Sequence, residues 1–335
     1  MSYPSPFSFS RFDPRFSFSR FDLLLTLVLL TGSGLVLAGC SGSTNSSANA
    51  DAAGASEITD AAYLAHSKWN DGQAEVAFYR VERSINQYGE KEDQVFMLGS
   101  YLVKHDFDPE AMSKAGEGAS GRVPAFKFSQ FYEFDSGSYQ YKYNYVVNAR
   151  RSDLRPIKHS FTSFDWCSNQ YREMAFQPDG TVETLMRSDD YGNDAGTFDY
   201  RANAYTPSQI PLLVRALDFS EEAGSGTTRS FSVVTREGEY VSAEAELAGT
   251  ETVETAAGSF ATDRIDVTYE EPVPSTIAAE PTEGETYWRA QDTLRHLIRQ
   301  EGADGTYGME LVEKERLAYW SENVWTRLER VAERP

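Results

Sequence analysis

Two cysteines and four histidines are all that this chain of 335 residues offers for thiol or imidazole chemistry. His66, His105, His159 and His296 are scattered without the spacing of a zinc site, and the local run His105-Asp106-Phe107-Asp108 does not make one. No nucleophile elbow occurs, since Gly224-Ser225-Gly226 lacks the strand-to-helix setting that G-x-S-x-G chemistry needs. Phosphate-loop and dinucleotide fingerprints are missing too, and Gly118-Ala119-Ser120-Gly121 reads as a loop. No metal and no cofactor is therefore expected. Positive charge is also scarce: 31 Lys+Arg stand against 51 Asp+Glu, a net charge of −20. That balance speaks against nucleic acid and against electrostatic docking on anionic lipid.

What is present begins with a leader. Arg11, Arg15 and Arg20 precede an apolar run from Leu23 to Leu30, extended by Gly34 to Ala38. Ser33 and two glycines interrupt it, and a membrane span needs about 20 apolar residues, so the run fits a sorting signal. It ends in Leu37-Ala38-Gly39-Cys40, which closely resembles the lipobox of bacterial lipoproteins. The resemblance implies cleavage between Gly39 and Cys40 and a diacylglycerol on the Cys40 thiol. Ser41, where an aspartate would retain a lipoprotein in the inner membrane, favours the outer membrane of the cell envelope. The heptad Phe7–Asp13 returns at Phe16–Asp22, a duplication inside the segment that is removed.

Cleavage removes three arginines and two aspartates, leaving 28 basic and 49 acidic residues, a net −21. With Cys40 acylated, Cys167 has no partner for an internal disulfide, so the fold must stand on its core. Hydrophobic residues make up 40% and aromatics 13%, enough for a packed core. Ser41 to Gly54 is small and polar and reads as a flexible tether within 40–57.

Beyond the tether, Ser56 or Thr59 could cap a short helix running to about Trp69, with Ala61, Ala65 and Trp69 on one face. From Ala74 the period changes to two. Tyr139, Tyr141, Tyr143, Tyr145 and Val147 alternate with polar residues, and Asp135-Ser136-Gly137-Ser138 before them reads as a hairpin turn. Strands are expected at 157–166, 170–176, 181–187 and 197–201, with a tight turn at Pro178-Asp179-Gly180. Ser208 to Leu217 has helical spacing, with Pro211 early enough to be harmless. Strands follow at 229–235, 239–247, 250–256, 260–269, 285–290, 294–300 and 306–320, and 272–284 is a loop. Such short connections mean antiparallel neighbours. The reading is a mainly β fold: a single domain over 58–335, an antiparallel sheet or open barrel-like arrangement with one or two short helices.

Three stretches, Trp69-Asn70-Asp71-Gly72-Gln73-Ala74-Glu75, Phe164-Asp165-Trp166-Cys167-Ser168 and Pro211-Leu212-Leu213-Val214-Arg215, resemble a family of uncharacterised lipoproteins from Bacteroidota-like bacteria. Some of its members are labelled "septum formation inhibitor Maf". Glu251-Thr252-Val253-Glu254-Thr255-Ala256-Ala257-Gly258-Ser259-Phe260 is similar to a domain of unknown function in exported β-rich proteins. The resemblances cover about four fifths of the chain and imply fold more than activity. Maf pyrophosphatases are cytoplasmic and begin with a serine-arginine-rich loop, where this chain has its leader.

Among site candidates, Trp166-Cys167 is the most distinctive pair. It is read either as a core cysteine beside a large aromatic or as a reactive thiol, which would need an electropositive neighbourhood. The tyrosine row is either the core face of a sheet or a platform for a glycan or acyl chain. Asp189, Asp190, Asn193 and Asp194 form either a solvated turn or a calcium loop. Two functions remain open: a non-enzymatic scaffold that binds an apolar ligand or another envelope protein, and an envelope hydrolase with a dispersed site.

Overall fold

The computed structural model describes residues 58–87, 90–116, 118–136, 139–220 and 226–332. Cys40, the leader, the tether, Ser56 and the centre of the 135–138 turn lie outside them. The described chain is dominated by one large, almost wholly antiparallel sheet, open rather than closed into a barrel. Its first half is a meander of β1 (Ala74–Gln87), β2 (Glu90–Asp108), β4 (Val123–Ser136), β5 (Tyr139–Arg150), β6 (Pro156–Phe164), β7 (Asn169–Phe176), β8 (Thr181–Ser188) and β9 (Gly192–Asp199), with the short β3 (Ser113–Lys114) paired to β2. The second half runs from β10 (Ala204–Tyr205) through β11 (Thr228–Val234), β12 (Tyr240–Thr255), β13 (Gly258–Val273), β14 (Thr282–Ala290) and β15 (Leu297–Gly302) to β16 (Tyr307–Leu317). Pairing of β1 with β16 stitches the halves together.

The sheet curls until its two edges meet through side chains instead of a ladder. Tyr240 Oη donates to the Asp199 carbonyl (2.7 Å), the Phe198 and Tyr240 rings lie 6.1 Å apart, and Arg236 reaches Asp194 (2.7 Å). Gly-rich β9 has little to offer a partner strand, and β10 pairs with only two residues of β11, in parallel.

Inside the curl lies α2 (Ile210–Ala216), every residue of which is buried. Seven residues make a helix too short to stand in water; here its negative C-terminal end is met by cations. Arg289 Nη1 donates to the carbonyls of Val214 (3.1 Å) and Leu217 (2.8 Å), and Arg295 Nη1 reaches the latter as well (3.4 Å). The interior also holds the 274–281 connection, in which Thr276 and Ile277 are buried. It is shorter than the 272–284 loop expected, because Val273 still pairs with Thr282.

Three expectations need correction. The N-terminal helix α1 (Ala61–Ala65) stops at His66 and a 3-10 turn carries the chain to Asn70; its cap is Asp60, whose Oδ1 accepts from Ala62 N (2.8 Å) and Tyr63 N (3.1 Å), not Thr59, which bridges to Leu217. The strands expected at 239–247 and 250–256 are one, β12, bent by a bulge between Leu247 and Gly249. A third helix, α3 (Val324–Ala332), was not anticipated, and the strand expected to 320 ends at Leu317. This helix explains why β1 is apolar on both faces: Ala77, Tyr79 and Val81 face the interior, while Ala74, Val76 and Phe78 pack with Leu328 and Val331 beneath α3. Gly99 makes the docking possible, since a Cβ there would lie 2.4 Å from the Phe131 ring and 3.0 Å from Leu328.

Candidate functional site

Tyr139, Tyr141, Tyr143 and Tyr145 alternate along β5, so all four point to the inner face. The cross-strand register surrounds them with aromatics. Phe134 stacks on Tyr141 (5.3 Å), Tyr132 lies 5.5 Å from Tyr143, and Phe161 packs edge-on to Tyr143 (5.2 Å) and against Tyr145 (4.6 Å). Yet the four tyrosines remain partly exposed, although Tyr141, Tyr143 and Tyr145 also pack against the core. Burial raises the Tyr143 and Tyr145 hydroxyls above their ordinary range, so they stay neutral at any physiological pH.

Two guanidiniums share the wall. Arg83 lies over Phe134 (4.4 Å) and Phe96 (5.0 Å), and donates to Gln94 Oε1 (2.9 Å) and the Ile277 carbonyl (3.3 Å). Arg172 lies over Phe161 (5.6 Å), and its buried Nε has no hydrogen-bond partner among the described residues. Neither arginine pairs with a described carboxylate.

At the rim, the structure overturns the core reading of Trp166 and Cys167. Asp165 is buried and its Oδ1 accepts from Cys167 N (2.6 Å) and Ser168 N (2.8 Å), making a side-chain-stabilised turn between β6 and β7. The turn breaks the strand alternation that would have buried one of the pair. Trp166 is 81% exposed and lies parallel to Tyr139 at 6.4 Å, while Cys167 is a free, exposed thiol against the Tyr139 hydroxyl (3.3 Å). No Lys, Arg or His contacts the thiol among the described residues, so the electropositive setting of a reactive cysteine is missing. A maleimide should therefore label Cys167 in the native protein nearly as fast as in denatured protein. Cys167→Ala should change stability by less than about 0.5 kcal/mol. Strong protection on folding, read by mass spectrometry, would restore the buried assignment.

The acidic run at 189–194 is not a loop of free oxygens. Gly192 to Asp199 is a strand, Asp194 pairs with Arg236, and Asp189 accepts from Asn169 N (3.0 Å). The other candidates are likewise committed: His105 bonds Asn148 (3.0 Å) and His159 bonds Ser208 (3.0 Å).

Three features were not foreseen. Glu75 and Arg215 form a buried bidentate pair, both bonds 2.8 Å. His296 extends it, with Nε2 3.3 Å from Glu75 Oε2 and Nδ1 2.5 Å from Asp292, which also takes Lys314 (2.9 Å). Burial alone would raise Asp292, but His296 and Lys314 outweigh it and hold the carboxyl far below its usual range. Both imidazole nitrogens are engaged, so neither is free to act on a substrate. A polar cleft of about 450 Å³ opens beside this network, lined by Asp60, Tyr63, His66, Asp263, Asp292 and Arg295. Its carboxylates are paired too, Asp60 with Arg295 and Asp263 with Arg289.

The third feature is Glu285, buried with no cation against it among the described residues. It accepts from Tyr269 (2.9 Å), Tyr287 (2.5 Å), Tyr307 (2.7 Å), Ser275 (2.8 Å) and Gln300 (2.8 Å). Burial, then the charge of Glu285, keeps the three phenols protonated and donating. Sequence held a signal for these groups: Glu285, Tyr287 and Arg289 share one phase of a strand, and two charges on an inward phase need internal partners.

A family model described as "Protein of unknown function (DUF3108)" matches residues 122–312. No curated protein matches the chain. Among solved structures, a β-barrel-like protein of domain of unknown function DUF1849 from Brucella abortus is similar at 8% identity and a TM-score of 0.42, covering 72% of this chain and 97% of that one. A Bacteroides fragilis protein described as exported and of YmcC-like fold matches at 9% identity and 0.23, covering 72% and 95%. A Parabacteroides distasonis protein described as a lipoprotein matches at 9% and 0.21, covering 71% and 95%.

Proposed function

This chain belongs to the DUF3108 family, whose description assigns no activity, and from its own residues we propose that it is an envelope lipoprotein that works by binding. In this reading Cys40 carries the acyl anchor, the outer membrane holds the protein, and the curled sheet presents a tyrosine-lined inner wall to an apolar ligand. The observation that carries the proposal is the partial exposure of Tyr139, Tyr141, Tyr143 and Tyr145 on a concave face, with the exposed Trp166 parallel to the first of them. Aromatic rings with neutral hydroxyls suit an apolar chain that meets water only at its end. The charged network offers no competing chemistry, because its histidine and carboxylates are already engaged.

Two measurements test this. An organic extract of the purified full-length protein should contain a stoichiometric apolar species by mass spectrometry, reduced in Trp166→Ala and Tyr141→Ala. An extract without one, from protein made in its native envelope, counts against a binding role. Cys40→Ser should move the protein out of the membrane fraction, since each buried acyl methylene contributes about 0.8 kcal/mol and the leader has no second thiol. Membrane association that survives a salt wash in Cys40→Ser would refute the anchor.

A further inference from the structure

Arg172 is out of place on an aromatic wall. In the sheet register it stands in the row Tyr145, Phe161, Arg172, Met186, so its stem lies among rings and a thioether. The chain has 51 acidic residues, and none of those described pairs with it. Its Nε is buried without an acceptor. Arg172 as a whole is half-buried, but an N–H enclosed without an acceptor is destabilising and calls for a completing partner. Arg83 does not share this condition, because Gln94 and the Ile277 carbonyl already occupy it.

We infer that the ligand is an amphiphile with one carboxylate head, of the long-chain fatty-acid class, and that Arg172 receives the head. A carboxylate fits the planar fork of a guanidinium and supplies the charge that the wall lacks. Its chain runs from Tyr145 past Tyr143 and Tyr141 to Tyr139 and Trp166. The six residue-to-residue steps from Tyr145 to Tyr139, at about 3.3 Å each, give that path about 20 Å, on the scale of a long acyl chain. This inference rests on the binding role proposed above and adds the head group and its receptor.

The test uses the full-length chain exchanged from detergent into amphipol, with two photoreactive probes: diazirine-tagged palmitic acid and the matching alcohol. The acid should label peptides from 139–147 and 156–172, and the alcohol should label them about tenfold more weakly, the loss of a charge-assisted contact. Arg172→Gln should reduce acid labelling to the alcohol's level, and Arg172→Lys, which keeps the charge but not the fork, should fall between. Native proteolytic resistance of each variant guards against misfolding, and the Lys variant carries the comparison if the Gln variant does not fold. Equal labelling by acid and alcohol, or an acid preference that survives in Arg172→Gln, overturns the head-group assignment while leaving the binding role standing. Labelling by neither probe overturns both.

Discussion

Arg215→Met should lower the stability of the domain by about 3–5 kcal/mol, the loss expected when a buried pair is broken and one charge is stranded. Glu75 is fully enclosed, and both its oxygens are taken by Arg215. Burial opposes its charge, but Arg215 and then His296 hold its pKa below the usual value. Removing the guanidinium reverses that balance. Urea unfolding followed by fluorescence measures the effect, and a loss under about 1 kcal/mol would show that the pair contributes only as an exposed bridge would. The double variant Glu75→Leu/Arg215→Met should recover much of the loss, because no lone charge remains. The acid response follows by sign. A carboxyl whose folded pKa is depressed stabilises above its unfolded pKa of about 4.3, and that stability is lost as pH falls through the folded value. His159 acts in a higher window. Burial lowers it from 6.5 to about 4, so its contribution is complete above 6.5 and is lost between 6.5 and 4.

Glu285→Leu should be at least as damaging, by at least about 4 kcal/mol, since it orphans five donors whose individual desolvation penalties run to about 1–3 kcal/mol. The carboxylate ties β13, β14, β15 and β16 to the 274–281 connection through Ser275. Ser275→Ala removes one donor without stranding the others and should lower stability by about 1 kcal/mol. Thermal unfolding of the two variants side by side separates a shared network from a local bond. Similar shifts for both would mean that the tyrosines find other acceptors when Glu285 is lost.

These networks account for two of the three short stretches singled out in the sequence. Trp69 to Glu75 brings a core tryptophan, the Arg316 partner Asp71 and the buried Glu75, while Pro211 to Arg215 brings the internal helix and the matching cation. The two meet in the interior although 140 positions separate Glu75 from Arg215. Phe164 to Ser168 has a different cause, the Asp165 turn that lifts Trp166 out of the sheet.

Alternation of apolar and polar residues by itself determined where most strands lie, though not all their bounds, because side chains of a strand point to opposite faces whatever lies beyond them. The helix at 210–216, the Pro178-Asp179-Gly180 turn and the inward tyrosine row followed from equally local rules. Local rules also misplaced Trp166-Cys167, since extending the alternation past Phe164 ignores the Asp165 side chain that ends it. Only the tertiary structure decided that β1 is covered on both faces, that α2 lies inside the sheet, and that Glu75, Arg215 and His296 converge. Those outcomes depend on which strands become neighbours, and the pairing of β1 with β16 joins residues more than 200 positions apart. The same holds for Arg172: its residue type is plain in the sequence, but its lack of a carboxylate partner is a property of the curled sheet around it.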